Sequence, residues 1–225
     1  FESEGFGGYL TSRLGDLTTV SLHARNDEYR SLRAKGGISS LFWRERFLRD
    51  NAPIDEGEGH TFAVQLERLR RRKVAPRAGI YHWLSLERAG YGMGGDFEYT
   101  RLLGDVRTVV RLSPATTLAV RLLGGSTLGG SLPAQRAFTL GGVDALRAHN
   151  AGALRGNQVA LAQAEYTIGL WQLHPQDWFD GGFHLIAFVD AGTAWSDPGG
   201  RWDVGGRSFT VDGGIGFGTD DDDLR

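Results

Sequence analysis

The sequence of 225 residues predicts an all-β fold, an antiparallel transmembrane β-barrel, from three observations. Glycine is abundant at 34 residues, proline is scarce at 6, and helical periodicity is nearly absent. Apolar and polar residues alternate through segments of about 10 to 16 residues, which are longer than most strands of soluble domains. Short connections between these segments alternate with long, glycine-rich ones, as they do in membrane barrels.

The first half of the chain contains five predicted strands. The clearest alternation puts Val20, Leu22 and Ala24 on one face and polar residues on the other. Strands are expected at Leu17–Asn26, His60–Leu69 and Arg77–Glu87, with two more inside Tyr29–Leu48 that turn near Gly36-Gly37.

The second half contains five further predicted strands. The connection Ser113–Ala115 is so short that the strands on either side of it must form an antiparallel hairpin. The expected strands are Phe97–Leu112, Thr116–Thr127, Asn157–Ile168, Phe183–Trp195 and Phe209–Gly218, and the long connections are Arg49–Gly59, Ala89–Asp96, Gly129–Arg155 and Ser196–Gly206.

Charged side chains recur on one face of several strands, for example Arg101, Asp105 and Arg107 in a single strand. A soluble β-sandwich could expose such a face to water, but its apolar face would need a second sheet packed on it. In a barrel, lipid covers the apolar face and the closed ladder satisfies every backbone group. The pattern therefore favours a membrane barrel, with a soluble sandwich or propeller as the alternative.

Composition and motifs argue against several classes of function. The formal net charge is −2, and the basic cluster Arg68–Lys73 lacks interleaved aromatic residues, so no nucleic-acid partner is expected. There is no cysteine and no Gly-x-Ser-x-Gly motif, and the six histidines lack metal-ligand spacing. The run Asp220–Asp223 lacks the spaced ligands of a calcium loop. We therefore expect no catalytic residues, no metal site and no cofactor.

A long loop at about residues 129–155 organises the second half of the chain. Its Gly141-Gly142 pair and its Leu146-Arg147 resemble the sixth extracellular loop of the BamA/TamA superfamily of outer-membrane barrels, the bacterial surface antigens. Phe188-Val189-Asp190-Ala191-Gly192 is similar to the Phe-x-Asp-x-Gly strand motif of that family. The resemblance also rests on Leu132-Pro133, Arg136, Phe138, Leu140, Gly156, Glu165-Tyr166, Trp195 and Gly214-Ile215-Gly216.

The resemblance implies a sixteen-stranded barrel, of which residues 1–225 would form one partial domain with about ten strands. The first several strands, the last two and any upstream domains would lie outside it. The resemblance also implies that the loop folds into the lumen, where Arg147 pairs with Glu165 and Asp190. Phe188 shares the inward face with Asp190. The family's glycine and aromatic after the arginine are Ala148 and His149 here.

Three functions from different classes follow from the resemblance. The first is a barrel that inserts outer-membrane proteins or translocates a polypeptide across the outer membrane of a Gram-negative-type bacterium. Its partners would be outer-membrane lipid, unfolded client polypeptides, and periplasmic chaperones or accessory lipoproteins. The alternative is an anchor and exporter fused to an upstream enzyme, such as a patatin-like lipase or a phosphoesterase. The third function, a passive porin, is disfavoured by the loop motif.

Overall fold

The computed structural model describes residues 1–32, 37–40, 43–47, 54–71, 79–169, 183–197, 199 and 202–219. These residues form thirteen β-strands and a single 3₁₀ turn, Ala134–Arg136. The strands are β1 (Glu2–Leu14), β2 (Thr18–Arg30), β3 (Gly37–Ser40), β4 (Trp43–Phe47), β5 (Gly57–Arg71), β6 (Gly79–Ala89), β7 (Tyr99–Ser113), β8 (Thr116–Gly130), β9 (Phe138–Leu140), β10 (Leu154–Gly156), β11 (Gln158–Gly169), β12 (Phe183–Trp195) and β13 (Thr210–Thr219). Within the described ranges, no helix is long and apolar enough to cross a membrane.

Nine of the strands form one antiparallel sheet in the order β1-β2-β5-β6-β7-β8-β11-β12-β13. Each strand pairs with its neighbour along the chain, apart from two small hairpins, β3–β4 and β9–β10, that lie within connections. This confirms the predicted all-β antiparallel architecture. The sheet is open in the described part of the chain, with β1 and β13 at its edges, so the fragment is a partial barrel.

The main sheet holds nine strands, in line with the prediction of about ten for the partial barrel. The two strands expected within Tyr29–Leu48 are β3 and β4, which form a short pair of their own outside the main sheet. β1 was not predicted, because Gly5, Gly7 and Gly8 interrupt its alternation. The predicted turn residue Gly36 lies outside the described residues, as do Pro53, Arg72, Lys73 and the run Asp220–Asp223.

The two faces of the sheet differ in polarity, as the alternation predicts. Val106, Val110 and Leu112 of β7 are exposed on one face, as are Ile215 and Phe217 of β13. Asp105, Asp190 and Asp212 are buried on the opposite face, beneath the long loop. An apolar face of this extent is unusual on a soluble monomer and suits a surface covered by lipid.

The loop between β8 and β11 turns onto the polar face and packs against it. Phe138, Leu140 and Leu146 of the loop form a buried cluster with Val159 and Leu161 of β11. Each such side chain contributes roughly 1.5–3 kcal/mol relative to full exposure. Burial of these apolar side chains therefore helps to fix the position of the loop, independently of its ion pairs.

Candidate functional site

A row of polar residues crosses five adjacent strands beneath the loop. Arg107 on β7 is the direct cross-strand partner of Arg121 on β8, and Arg121 is the partner of Gln163 on β11. Gln163 in turn faces Asp190 on β12, which faces Asp212 on β13. Because direct partners share a face of the sheet, the antiparallel register brings all five side chains to the surface that the loop covers.

Arg147 projects from the loop onto the acidic end of this row. Its Nη1 donates a hydrogen bond to Glu165 Oε2 at 2.8 Å, and its Nε lies 3.2 Å from Asp190 Oδ2. The guanidinium carbon lies 4.0 Å from the centre of the Phe188 ring, a cation–π contact. The structure thus brings together four of the residues singled out in the sequence: the arginine, both carboxylates and the aromatic ring.

The carboxylate of Asp190 is completely buried, at 0% exposure of its side chain. A buried charge is costly unless it is paired and hydrogen-bonded. Here Oδ1 accepts from Gln163 Nε2 at 3.0 Å, and Oδ2 lies 3.4 Å from the Arg147 backbone nitrogen, which donates to it. With the Arg147 side chain, these donors hold both carboxylate oxygens of Asp190.

The residues after the arginine bind a second buried carboxylate, Asp212. The backbone N–H of Ala148 donates to Asp212 Oδ2 at 2.8 Å. His149 Nδ1 lies 3.0 Å from Asp212 Oδ1. The backbone donor at position 148 would be present in glycine too, so the contact that depends on the residue type is that of the His149 imidazole with Asp212 on β13, which a phenylalanine side chain cannot make.

Two wall side chains hold the backbone of the loop just before the arginine. Gln163 Nε2 donates to the carbonyl of Ala145 at 2.7 Å, and Arg121 Nη1 donates to the carbonyl of Asp144 at 2.5 Å. Arg121 is itself fixed by Asp105, with Nη2 2.9 Å from Oδ2. The loop is thus held by main-chain contacts as well as by Arg147.

A family comparison fits this geometry. Residues 18–218 match the model of the Omp85 superfamily domain. The chain belongs to the Omp85 superfamily. No curated protein sequence matches the chain significantly.

The fold of this Omp85 chain is also that of a solved barrel. It is similar to the crystal structure of BamA from Haemophilus ducreyi lacking POTRA domains 1-3, with a TM-score of 0.67 and 16% sequence identity. The match covers 96% of this chain and 47% of that one, so this chain spans about half the length of its structural relative. At this identity the likeness shows the fold.

The paired glycines shape the turn that presents Arg147 in the Omp85 loop. Gly141 and Gly142 have φ angles of 118° and 89°, a region that other residues rarely adopt. A Cβ on Gly141 would overlap the carbonyl oxygen of Asn150. On β12, a Cβ on Gly192 would lie 2.9 Å from Leu140 Cδ1, so this glycine allows the loop to approach the wall closely.

A second anchor holds the loop of the Omp85 chain at the other end of the same face, beside β2 and β6. Arg136 Nη2 donates to Tyr29 Oη at 3.2 Å, and Arg136 Nη1 lies 3.7 Å from Glu87 Oε2. Burial lowers the pKa of Arg136, but the negative charge of Glu87 and other neighbours outweighs it, so this pKa lies above its ordinary value. Nearby, Gln135 Nε2 donates to the carbonyl of Asp55 at 2.9 Å. The loop therefore reaches from β2 and β6 to β11, β12 and β13.

Sequence reasoning on the Omp85 chain missed Asp212 and Gln163 as loop contacts. Only the strand register could have identified these two residues, because in that register each is the direct cross-strand partner of Asp190. Among the residues that the structure describes, no cluster of three or more histidine or acidic side chains could hold a metal ion.

Proposed function

We propose that this chain is part of an outer-membrane barrel that inserts other outer-membrane proteins or translocates a polypeptide across that membrane. The Omp85 match over residues 18–218 supports this proposal. So does the strand pattern, with an apolar outer face and a polar inner face that carries the loop. The location is the outer membrane of a Gram-negative-type bacterium.

The observation that carries the proposal is the placement of Arg147 between two wall carboxylates. A guanidinium keeps its charge and presents a planar set of donors, so one arginine can serve both Glu165 and Asp190. Arg147 acts as a lock that keeps the loop in the lumen. Glu165 and Asp190 receive it, Phe188 supports its guanidinium, and Gly141, Gly142 and Gly192 permit the close approach.

The mechanism combines a fixed inner loop with weakly paired strands elsewhere in the barrel. An exposed strand edge can pair with a strand of another chain, which is how a client polypeptide would be received. The locked loop fixes the curvature of the sheet from β6 to β13 while such an edge opens. The clients are unfolded outer-membrane or secreted polypeptides, with periplasmic chaperones or accessory lipoproteins as further partners.

Depletion of the full-length protein in its own cells tests this function. We expect the folded, heat-modifiable forms of several other outer-membrane proteins to decline, and the wild-type gene to restore them. Arg147→Glu should fail to restore them, because glutamate would repel both carboxylates. Arg147→Glu combined with Glu165→Arg should recover part of the activity, because it rebuilds one pair of opposite charges.

Arg155→Glu is the matched control, since Arg155 lies in the same loop, is exposed, and donates to the carbonyl of Ala134. Unchanged levels of the other outer-membrane proteins after depletion would contradict the insertion function and favour an anchor for an upstream enzyme. If Arg147→Glu restored the clients as well as the wild-type gene does, the lock would be wrong.

A further inference from the structure

Four aspartates are buried in the described part of the chain, and three of them form an ion pair with an arginine. The pairs are Asp27 with Arg25, Asp105 with Arg107 and Arg121, and Asp190 with Arg147. The fourth aspartate, Asp212, has no arginine or lysine partner among the described residues. Its ion-pair partner there is His149, whose charge depends on the pH.

The contact between His149 and Asp212 is close and only one side of it reaches water. His149 Nδ1 lies 3.0 Å from Asp212 Oδ1 and 3.1 Å from Oδ2. The Asp212 side chain is 3% exposed, whereas that of His149 is 38% exposed. The imidazole can therefore exchange a proton with water in the lumen, while the carboxylate depends on the protein for its donors.

The charges around His149 leave an excess of negative charge when its imidazole is neutral. Asp212 is the direct cross-strand partner of Asp190, and like charges at such positions repel. Arg147 already serves two carboxylates, Asp190 on β12 and Glu165 on β11. Three carboxylates thus surround one guanidinium, and protonation of His149 supplies the second positive charge.

We propose that His149 is a second lock residue of the loop, and that its protonation strengthens the attachment of the loop to β13. The proposal rests on the lock function proposed above for the loop. Docking places the imidazole against a carboxylate, which favours its protonated form, so the docked loop binds more protons than the released one. Lower pH therefore favours docking, and the attachment weakens as the pH rises through the range in which histidine ordinarily loses its proton.

The two lock residues lie in one turn of the loop but respond differently to pH. The Gly142 N–H lies 3.1 Å from the carbonyl of Leu146 and 2.8 Å from that of His149, and it donates to both. Arg147 keeps its charge throughout, so it holds β11 and β12 at any pH of this range. The proton on His149 then decides whether the loop also ties down β13, the last strand of the described sheet.

The test measures the mobility of a nitroxide label in the full-length protein in lipid vesicles. The label is attached to a cysteine at Ala151, an exposed position two residues after His149, in a protein without other cysteines. Electron paramagnetic resonance gives the ratio of mobile to immobile label. We expect this ratio to rise about threefold to tenfold between about pH 5.5 and about pH 8.5, where aspartate ordinarily stays ionised.

Three variants identify the group that responds. His149→Asn keeps a neutral donor near the position of Nδ1 and should remove the pH response. Asp212→Asn should also remove it, because the imidazolium then has no carboxylate at this position. His60→Asn is the matched control, since His60 Nδ1 lies 2.7 Å from the carbonyl of Met93 in a different loop, and this variant should respond to pH as the wild type does.

The outcomes separate this proposal from the lock itself. An immobile label at both pH values in the wild type, or an unchanged pH response in His149→Asn or Asp212→Asn, would overturn the second lock residue and leave the Arg147 lock standing. A label that is fully mobile at both pH values in the wild type would overturn the lock and, with it, the role of His149.

Discussion

Replacing Arg147 by alanine should destabilise the barrel mainly through Asp190 rather than through Glu165. The Arg147 side chain is 24% exposed, and it bridges a carboxylate that is 32% exposed and one that is fully buried. A pair as exposed as that with Glu165 contributes about 1 kcal/mol or less. Breaking a buried pair costs about 3–5 kcal/mol, because the remaining charge stays in a poorly solvated site.

The expected free-energy losses therefore form a series. Arg147→Ala should lower the free energy of unfolding by about 3–5 kcal/mol, and Glu165→Gln by about 1 kcal/mol or less. Arg147→Lys should fall between them, because an ammonium keeps the charge but cannot reach both carboxylates with a planar fork. The double variant Arg147→Ala, Asp190→Asn should be more stable than Arg147→Ala alone, since it removes the unpaired buried charge.

The measurement is urea unfolding of the full-length protein in lipid vesicles, followed by the mobility of unheated samples on denaturing gels. Proteolysis within residues 131–157 reports release of the loop independently. Arg155→Ala is the control, an arginine of the same loop with no ion pair among the described residues. If the double variant were less stable than Arg147→Ala, the buried charge would not be the source of the loss, and the reasoning would fail.

Two further predictions concern how the loop is seated. Arg136→Leu should cost about 1–3 kcal/mol of unfolding free energy, because Arg136 is the loop's cation beside Glu87, and it should increase proteolysis near residue 136 before that near Arg147. Gly141→Ala should lower the free energy of unfolding by about 1–3 kcal/mol more than Gly152→Ala does in the same urea titration. Both glycines have positive φ angles, but only at Gly141 would the added Cβ meet another residue, the carbonyl of Asn150. Equal losses for the two alanine variants would show that φ alone sets the cost.

The strands could be predicted because each one faces two different environments. Alternation between lipid-facing and lumen-facing residues is a local property of the sequence. The predicted bounds of β12, Phe183–Trp195, therefore equal the observed ones, and the predicted bounds of β8 and β11 differ from the observed ones by at most three residues. β1 was not predicted from the sequence, because three of its thirteen residues are glycines at positions where a side chain would have shown the alternation. A glycine has no side chain to assign to either face.

The site could be predicted only as far as the family resemblance reached. Arg147, Glu165 and Asp190 lie in recognisable motifs, and the structure places their side chains in contact. Gln163 and Asp212 have no motif of their own, and they meet Asp190 through register alone. Register between strands that are distant in sequence depends on the packing of the whole sheet, which a single sequence does not display.

The two anchors of the loop lie far apart along the sheet, and this separation gives the loop a mechanical role. Arg136 binds Tyr29 on β2 and Glu87 on β6, whereas Arg147 binds β11 and β12. Flattening of the wall between β6 and β11 would stretch the loop and break a buried ion pair at one end. Because Tyr29 lies on β2 and Asp190 on β12, only an opening at a strand edge outside the span from β2 to β12 would stretch neither anchor. We propose that the loop in this way restricts deformation to the edges of the barrel, where a client strand would pair under the proposed function, and leaves the centre of the wall rigid.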